Sequence, residues 1–133
     1  MIGTKQMHPL LAAEITGLDV SAPIPEAVFS EINEAFRRHS VLVFRDQPIT
    51  DDQQIAFSER FGDLETTKVG TVGTGSKLIV LSNMDADGTV VPPSDRQSLN
   101  NRANRSWHAD SSFKAVPAMA SMLSARIIPS KGG

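Results

Sequence analysis

A mixed α+β fold is the class this sequence predicts. Three observations carry it. Residues 25–38 place apolar side chains at helical spacing, and Thr50 with Gln53 forms a helix-capping pattern. Val41–Phe44 and Leu78–Leu81 are short unbroken runs of strand formers. The chain has 133 residues, a length that accommodates one domain spanning residues 1–133.

Met1 to Ala13 shows no periodicity and is expected to be loosely held. Ile15–Val20 predicts a short strand, ended by Ser21-Ala22-Pro23. Pro25 suits a first helical position, where its missing N–H costs no hydrogen bond. Val28, Ile32, Ala35 and Phe36 then fall at i, i+4, i+7 and i+8, which is one helix face. Glu26 near the start and Arg37 and Arg38 near the end suit the helix dipole, and His39 ends the helix. Val41–Phe44 predicts a buried strand.

Thr50 and Gln53 begin a second helix, with Asp51 and Asp52 in its first turn. It is expected to run to about Phe61, with Phe57 and Phe61 on its core face and Gly62 as its stop. Thr66 to Lys77 is rich in Thr and Gly and predicts a mobile loop. Gly70, Gly73 and Gly75 lack the spacing and strand-to-helix context of a phosphate loop. Leu78–Leu81 predicts another buried strand. The long polar stretch from Ser82 to Arg105 carries an expected turn at Asp87-Gly88 and a stiff Pro92-Pro93 pair. Ala118 to Ile128 returns to an apolar strand pattern.

Composition narrows the function classes. The absence of cysteine removes disulfides and thiolate metal sites, and fits a reducing cytoplasm. The longest apolar run near the start, Pro9–Ala13, is too short for a signal peptide or membrane span, so a soluble, cytoplasmic protein is expected. Net charge is -2 but unevenly placed. Residues 1–95 carry seven basic and fourteen acidic side chains, whereas residues 96–133 carry six basic ones against Asp110 alone. Such local positive charge suits small anions. A nucleic-acid surface is not indicated, because the basic residues are spread out and only Trp107 and Phe113 are nearby stacking platforms. The sequence leaves homo-oligomerisation open.

The chemistry concentrates in Trp107-His108-Ala109-Asp110-Ser111-Ser112-Phe113. On a strand, residues i and i+2 share a face, so His108 and Asp110 would project side by side. An imidazole and a carboxylate so placed are two members of the 2-His-1-carboxylate set that holds non-haem Fe(II). His-x-Asp alone is a weak signal, since a surface His bonded to a nearby Asp has the same spacing. His8, in the irregular N-terminus, and His39, at a helix end, read as capping residues rather than ligands.

Trp107–Phe113 is followed by Pro117, by Met122-Leu123-Ser124-Ala125-Arg126 and by Pro129-Ser130-Lys131-Gly132-Gly133. It is preceded by Ser40–Pro48, Asp52–Phe57 and Phe61-Gly62-Asp63-Leu64-Glu65. In this order the blocks resemble the taurine dioxygenase family of Fe(II)- and 2-oxoglutarate-dependent dioxygenases. The branch acting on 2,4-dichlorophenoxyacetate is the nearest in pattern. The resemblance implies a double-stranded β-helix, or jelly roll, with N-terminal helices. Residues 1–133 would be its N-terminal portion, and the barrel would be incomplete.

The resemblance further implies that His108 and Asp110 are iron ligands, with 2-oxoglutarate and O2 as cosubstrates. The family's distal His, its Arg for the far carboxylate of 2-oxoglutarate and a Thr contacting that cosubstrate all fall beyond Gly133. The chain alone is therefore expected to be inactive. Asn104 stands where the family places a substrate-contacting residue, with a loop-capping amide as the structural alternative. Lys68 stands where a herbicide-cleaving relative has a Lys that can meet a substrate carboxylate, with a solvated loop charge as its alternative.

The expected function is hydroxylation of a small anionic substrate such as an aryloxyalkanoate, with release of succinate and CO2. The alternative is a non-catalytic jelly-roll binding module keeping a vestigial metal pair. A distal His and an Arg encoded beyond Gly133 would decide for the enzyme.

Overall fold

In the computed structural model, residues 1–66, 77–85, 87–95, 98, 99, 102, 105–128 and 130 are described. Among them the chain gathers into two compact units, one formed by Met1–Gly62 with Ser124–Gly133 and the other by Asp63–Leu123.

The first unit is a helix-and-sheet structure, as the mixed class requires. Its elements are β1 (Gly3–Gln6), β2 (Ala13–Thr16), α1 (Glu26–His39), β3 (Leu42–Phe44) and α2 (Asp51–Glu59). The sheet order is β1-β2-β3. β1 runs antiparallel to β2, with Gly3 opposite Thr16 and Gln6 opposite Ala13. β3 runs parallel to β2, with Ala13 opposite Leu42 and Ile15 opposite Phe44, so α1 is the crossover that parallel pairing needs.

β1 corrects the expectation of a loose N-terminus. All four of its residues are exposed, so no apolar alternation marks it. It exists because its backbone pairs with β2. β2 lies earlier than Ile15–Val20. Ala13 and Ile15 alternate into the core, and Gly17, at φ +75°, turns the chain out of the strand. Val20 is buried outside any strand, and its N–H donates to Gln47 Oε1 at 2.8 Å.

α1 begins after Pro25, which is its N-cap, and closes on Ser40 in the left-handed conformation, whose N–H bonds the Phe36 carbonyl. Its buried stripe is Phe29, Ile32 and Ala35. The expected face held Val28 and Phe36 instead of Phe29, and both are half-buried. The shift follows the larger ring. Phe29 meets Phe57 and Phe61 edge-on, at centroid distances of 6.5 and 4.9 Å. The Arg60 guanidinium covers the Phe29 ring at 4.2 Å.

α2 carries the expected capping box. The Thr50 side chain accepts from the Gln53 N–H, and the Gln53 side chain accepts from the Thr50 N–H. The helix ends at Glu59 rather than near Phe61, continuing as tight turns to Gly62 at φ +143°. Phe57 is buried and Phe61 half-buried. Arg126 bonds the Ile49 carbonyl, Asp51 Oδ1 at 2.8 Å and Gln54 Oε1 at 3.1 Å, fastening the start of α2.

The second unit is irregular. Asp85–Thr89 closes the expected turn through Gly88 at φ +78°, beside an isolated Met84–Val90 bridge. The strand expected at Leu78–Leu81 does not form, nor does that at Ala118–Ile128, of which residues 124–128 belong to the first unit. Ile79, Val80 and Leu81 are 62, 71 and 60% exposed, and Leu123, Ile127 and Ile128 are similarly open. Apolar β-branched sequence supplies propensity only. A strand also needs a ladder with a neighbouring strand, and neither segment lies in one among the described residues. Val41, expected inside β3, is exposed, and β3 itself is half-buried.

Candidate metal centre

The centre is built in the second unit, where Trp107 to Ala109 lie outside any strand and Asp110 opens a turn. This corrects the expected strand. Ser111 adopts φ +56°, a left-handed conformation that breaks an extended run, and the Lys114 N–H closes the turn on the Ser111 carbonyl at 2.9 Å. The side chains nonetheless meet. His108 Nε2 stands 3.2 Å from Asp110 Oδ1, with both groups about half-exposed.

The tautomer follows from the second ring nitrogen. His108 Nδ1 lies 2.8 Å from the Ser106 carbonyl oxygen. A carbonyl only accepts, so Nδ1 carries a proton and donates. In a neutral imidazole the Nε2 lone pair then faces Asp110. Two acceptors face one another, and a shared cation, either proton or metal, makes that contact attractive. This is the donor arrangement of a metal-ligating His whose other nitrogen is tied to a backbone carbonyl. Neutral imidazole with carboxylate suits a divalent metal such as Fe(II).

The other oxygen of Asp110 is also engaged. Ser121 Oγ donates to Oδ2 at 2.6 Å. Farther out, Glu65 Oε2 accepts from Ser111 Oγ at 2.7 Å and from Lys114 Nζ at 2.6 Å. The Lys114 ammonium first, then the Ser111 hydroxyl, hold the Glu65 carboxyl below the usual carboxylate range, and the Ala118 N–H adds to the effect. Glu65 Oε1 is buried, with no hydrogen-bond partner among the described residues. Arg105, Ser106, Trp107 and His108 line an open hollow of about 370 Å³ beside the pair.

Among the described residues no group of three or more His, Asp or Glu side chains is gathered as a metal site. The histidines at positions 8 and 39 make local contacts, the first through its ring and the second through its backbone carbonyl. His8 Nδ1 accepts from the Leu10 N–H, and the His39 carbonyl accepts from the Ala12 and Val41 N–H groups at the end of α1. Lys68 and Asn104 lie outside the described residues, as do residues 67–76 of the expected loop and the Gly132-Gly133 pair. Ser106, Ser121 and Glu65 are the site's supports that sequence reasoning missed. Ser121 stands 11 residues from Asp110 and Glu65 stands 46 from Ser111, so no local spacing announces them. No helix of the described residues is long and apolar enough to cross a membrane.

Several known proteins resemble this chain. The 2,4-dichlorophenoxyacetate dioxygenase of Cupriavidus pinatubonensis, named as alpha-ketoglutarate-dependent, is 39% identical over 132 residues, covering 96% of this chain and 46% of that protein. The (S)-phenoxypropionate/alpha-ketoglutarate-dioxygenase of Delftia acidovorans is 35% identical over 92% of this chain and 41% of its own length. Among solved structures, AAD-2 in complex with Mn(II) and N-oxalylglycine superposes with a TM-score of 0.76 at 36% identity, covering 88% of this chain and 40% of that one. The chain thus spans less than half the length of these relatives. The family model of taurine catabolism dioxygenases TauD and TfdA matches residues 3–133, and the chain belongs to that family.

Proposed function

We propose that residues 1–133 are the N-terminal portion of a jelly-roll Fe(II)- and 2-oxoglutarate-dependent dioxygenase that hydroxylates a small anionic substrate of the aryloxyalkanoate class. The observation that carries the reading is the His108 Nε2 to Asp110 Oδ1 approach, with Nδ1 committed to a backbone carbonyl. In it His108 and Asp110 hold the iron. Bound there, the metal supplies the activation of O2 that couples oxidation of 2-oxoglutarate to substrate hydroxylation.

The reaction balances as one O2 divided between two products. One atom enters succinate as 2-oxoglutarate loses CO2, and the other enters the substrate as a hydroxyl. On an aryloxyalkanoate, hydroxylation at the carbon beside the ether oxygen gives a hemiacetal. That species expels a phenol and leaves a carbonyl compound.

The chain's own residues orient the reactants. Ser106 fixes the imidazole tautomer, and Ser121 holds one carboxylate oxygen. The open hollow beside His108, with Arg105 on its wall, favours an anionic occupant. Lys68 and Asn104 are proposed to meet the substrate, the first through its carboxylate. The names of two relatives, which act on 2,4-dichlorophenoxyacetate and (S)-phenoxypropionate, support the substrate class.

The test is succinate formation and iron content in the full-length protein and two variants. His108→Ala is expected to abolish both, since removing one ligand of a small set leaves the ion weakly held. Asp110→Asn is expected to come close, by removing the anionic ligand. Wild-type turnover in either variant would refute the ligand assignment.

A further inference from the structure

We infer that Glu65 is a positioning residue for the Asp110 carboxylate, acting through the 111–121 loop and the Ser121 hydroxyl. The inference rests on the reading of Asp110 as a metal ligand. Asp110 and Ser121 are joined by a 2.6 Å hydrogen bond, so the loop between them closes on itself. That bond occupies Oδ2 and leaves Oδ1 toward His108. Which oxygen faces the imidazole therefore depends on where Ser121 stands.

Nothing regular holds Ser121 in place. Residues 111–121 form turns and irregular backbone, without helix or strand. Ser111 even sits in a left-handed conformation that is unfavourable for a non-glycine residue. Ordering such a loop costs conformational entropy. Glu65 supplies the fixed point. Its one oxygen, Oε2, gathers the Ser111 hydroxyl and the Lys114 ammonium.

Two positions along one loop, Ser111 and Lys114, are thus drawn to a single carboxylate oxygen, the first from 46 residues away. Both partners of the ion pair are about one-third exposed, at 31% for Glu65 and 34% for Lys114, so solvent screens the pair only in part. Charge-assisted bonds of this kind are short and strong, and they fix direction as well as distance. The chain of contacts runs from Glu65 to the loop, from the loop to Ser121, and from Ser121 to the ligand oxygen.

Mn(II) titrated into the metal-free full-length protein, with free ion followed by paramagnetic resonance, tests this. A melting temperature is taken for each variant. Glu65→Ala and Ser121→Ala should each weaken Mn(II) binding by about 10- to 100-fold, the usual range for outer partners of a metal ligand. Because both act on one carboxylate, the double variant should lose little more than either single one. Glu65→Gln keeps an acceptor for Ser111 but loses the charge that holds Lys114, so it should fall between.

Wild-type Mn(II) affinity in Glu65→Ala, whatever its melting temperature, would reduce Glu65 to a structural ion pair and overturn the inference. Fully additive losses would also overturn it, since Glu65 would then not act through Ser121. Should Glu65→Ala fail to fold, unchanged affinity in Glu65→Gln overturns it equally. Undiminished binding in Asp110→Asn would instead remove the ligand assignment beneath the inference.

Discussion

His108 and Asp110 are brought together by bonds made to their far sides. Ser106 takes the second ring nitrogen, and Ser121 takes the second carboxylate oxygen. Each support leaves one atom of the pair, His108 Nε2 or Asp110 Oδ1, facing the other, 3.2 Å apart. The pairing itself was legible in the sequence, because two residues of separation keep the side chains within reach whether or not a strand forms. The strand was the wrong reason for it. A turn with left-handed Ser111 produces the same approach. Lys68 carries the residue-scale prediction for the substrate side. A charge-assisted hydrogen bond to a carboxylate contributes about 1.5–3 kcal/mol. In the full-length protein, Lys68→Ala should therefore raise KM for an aryloxyalkanoate by about ten- to a hundredfold and leave KM for 2-oxoglutarate almost unchanged. Steady-state kinetics with each substrate varied in turn would show it. Equal weakening of both, or of neither, would take Lys68 out of the substrate site.

At the scale of elements, what could be read depended on whether the cause was local. The α2 capping box lies within four residues, and it forms as the sequence indicates. The α1 helix was legible from its period, but its buried stripe turned by one residue because Phe29 packs on Phe57 and Phe61, which come from another part of the chain. β1 was illegible, since an exposed strand held by backbone pairing leaves no pattern of side chains. Leu78–Leu81 and Ala118–Ile128 failed in the opposite sense, with the right side chains and no ladder among the described residues. The cap gives the element-scale prediction. Thr50→Ala removes the acceptor for the Gln53 N–H, and caps of this type contribute about 0.5–2 kcal/mol. Gln53 also donates to the Ser21 carbonyl at 3.1 Å, so loosening the cap frees a second link. The variant should unfold at lower urea with an unchanged slope; a midpoint equal to wild type would show that the cap bond adds nothing net.

At the scale of the whole molecule, the exposed apolar side chains set the behaviour of residues 1–133 taken alone. Ile79, Val80, Leu81, Leu123, Ile127 and Ile128 are each at least 60% exposed, and Trp107 and Phe113 stand open beside the candidate centre. Side chains of this kind gain free energy by leaving water, at roughly 25 cal/mol for each Å² of apolar surface buried. Strand-forming segments that lie in no ladder also invite edge-to-edge pairing with another chain. The centre is limited in the same way, because the described donors are one His and one Asp. Relatives that share this part of the chain are more than twice as long. Expressed by themselves, residues 1–133 should therefore self-associate, bind Fe(II) weakly and form no succinate. Light scattering during size-exclusion chromatography reports the mass, and an anaerobic preparation given Fe(II), 2-oxoglutarate and an aryloxyalkanoate before exposure to oxygen reports the activity. A monodisperse monomer that makes succinate at an enzyme-like rate would mean that these residues cover their apolar segments unaided and complete the metal site from within.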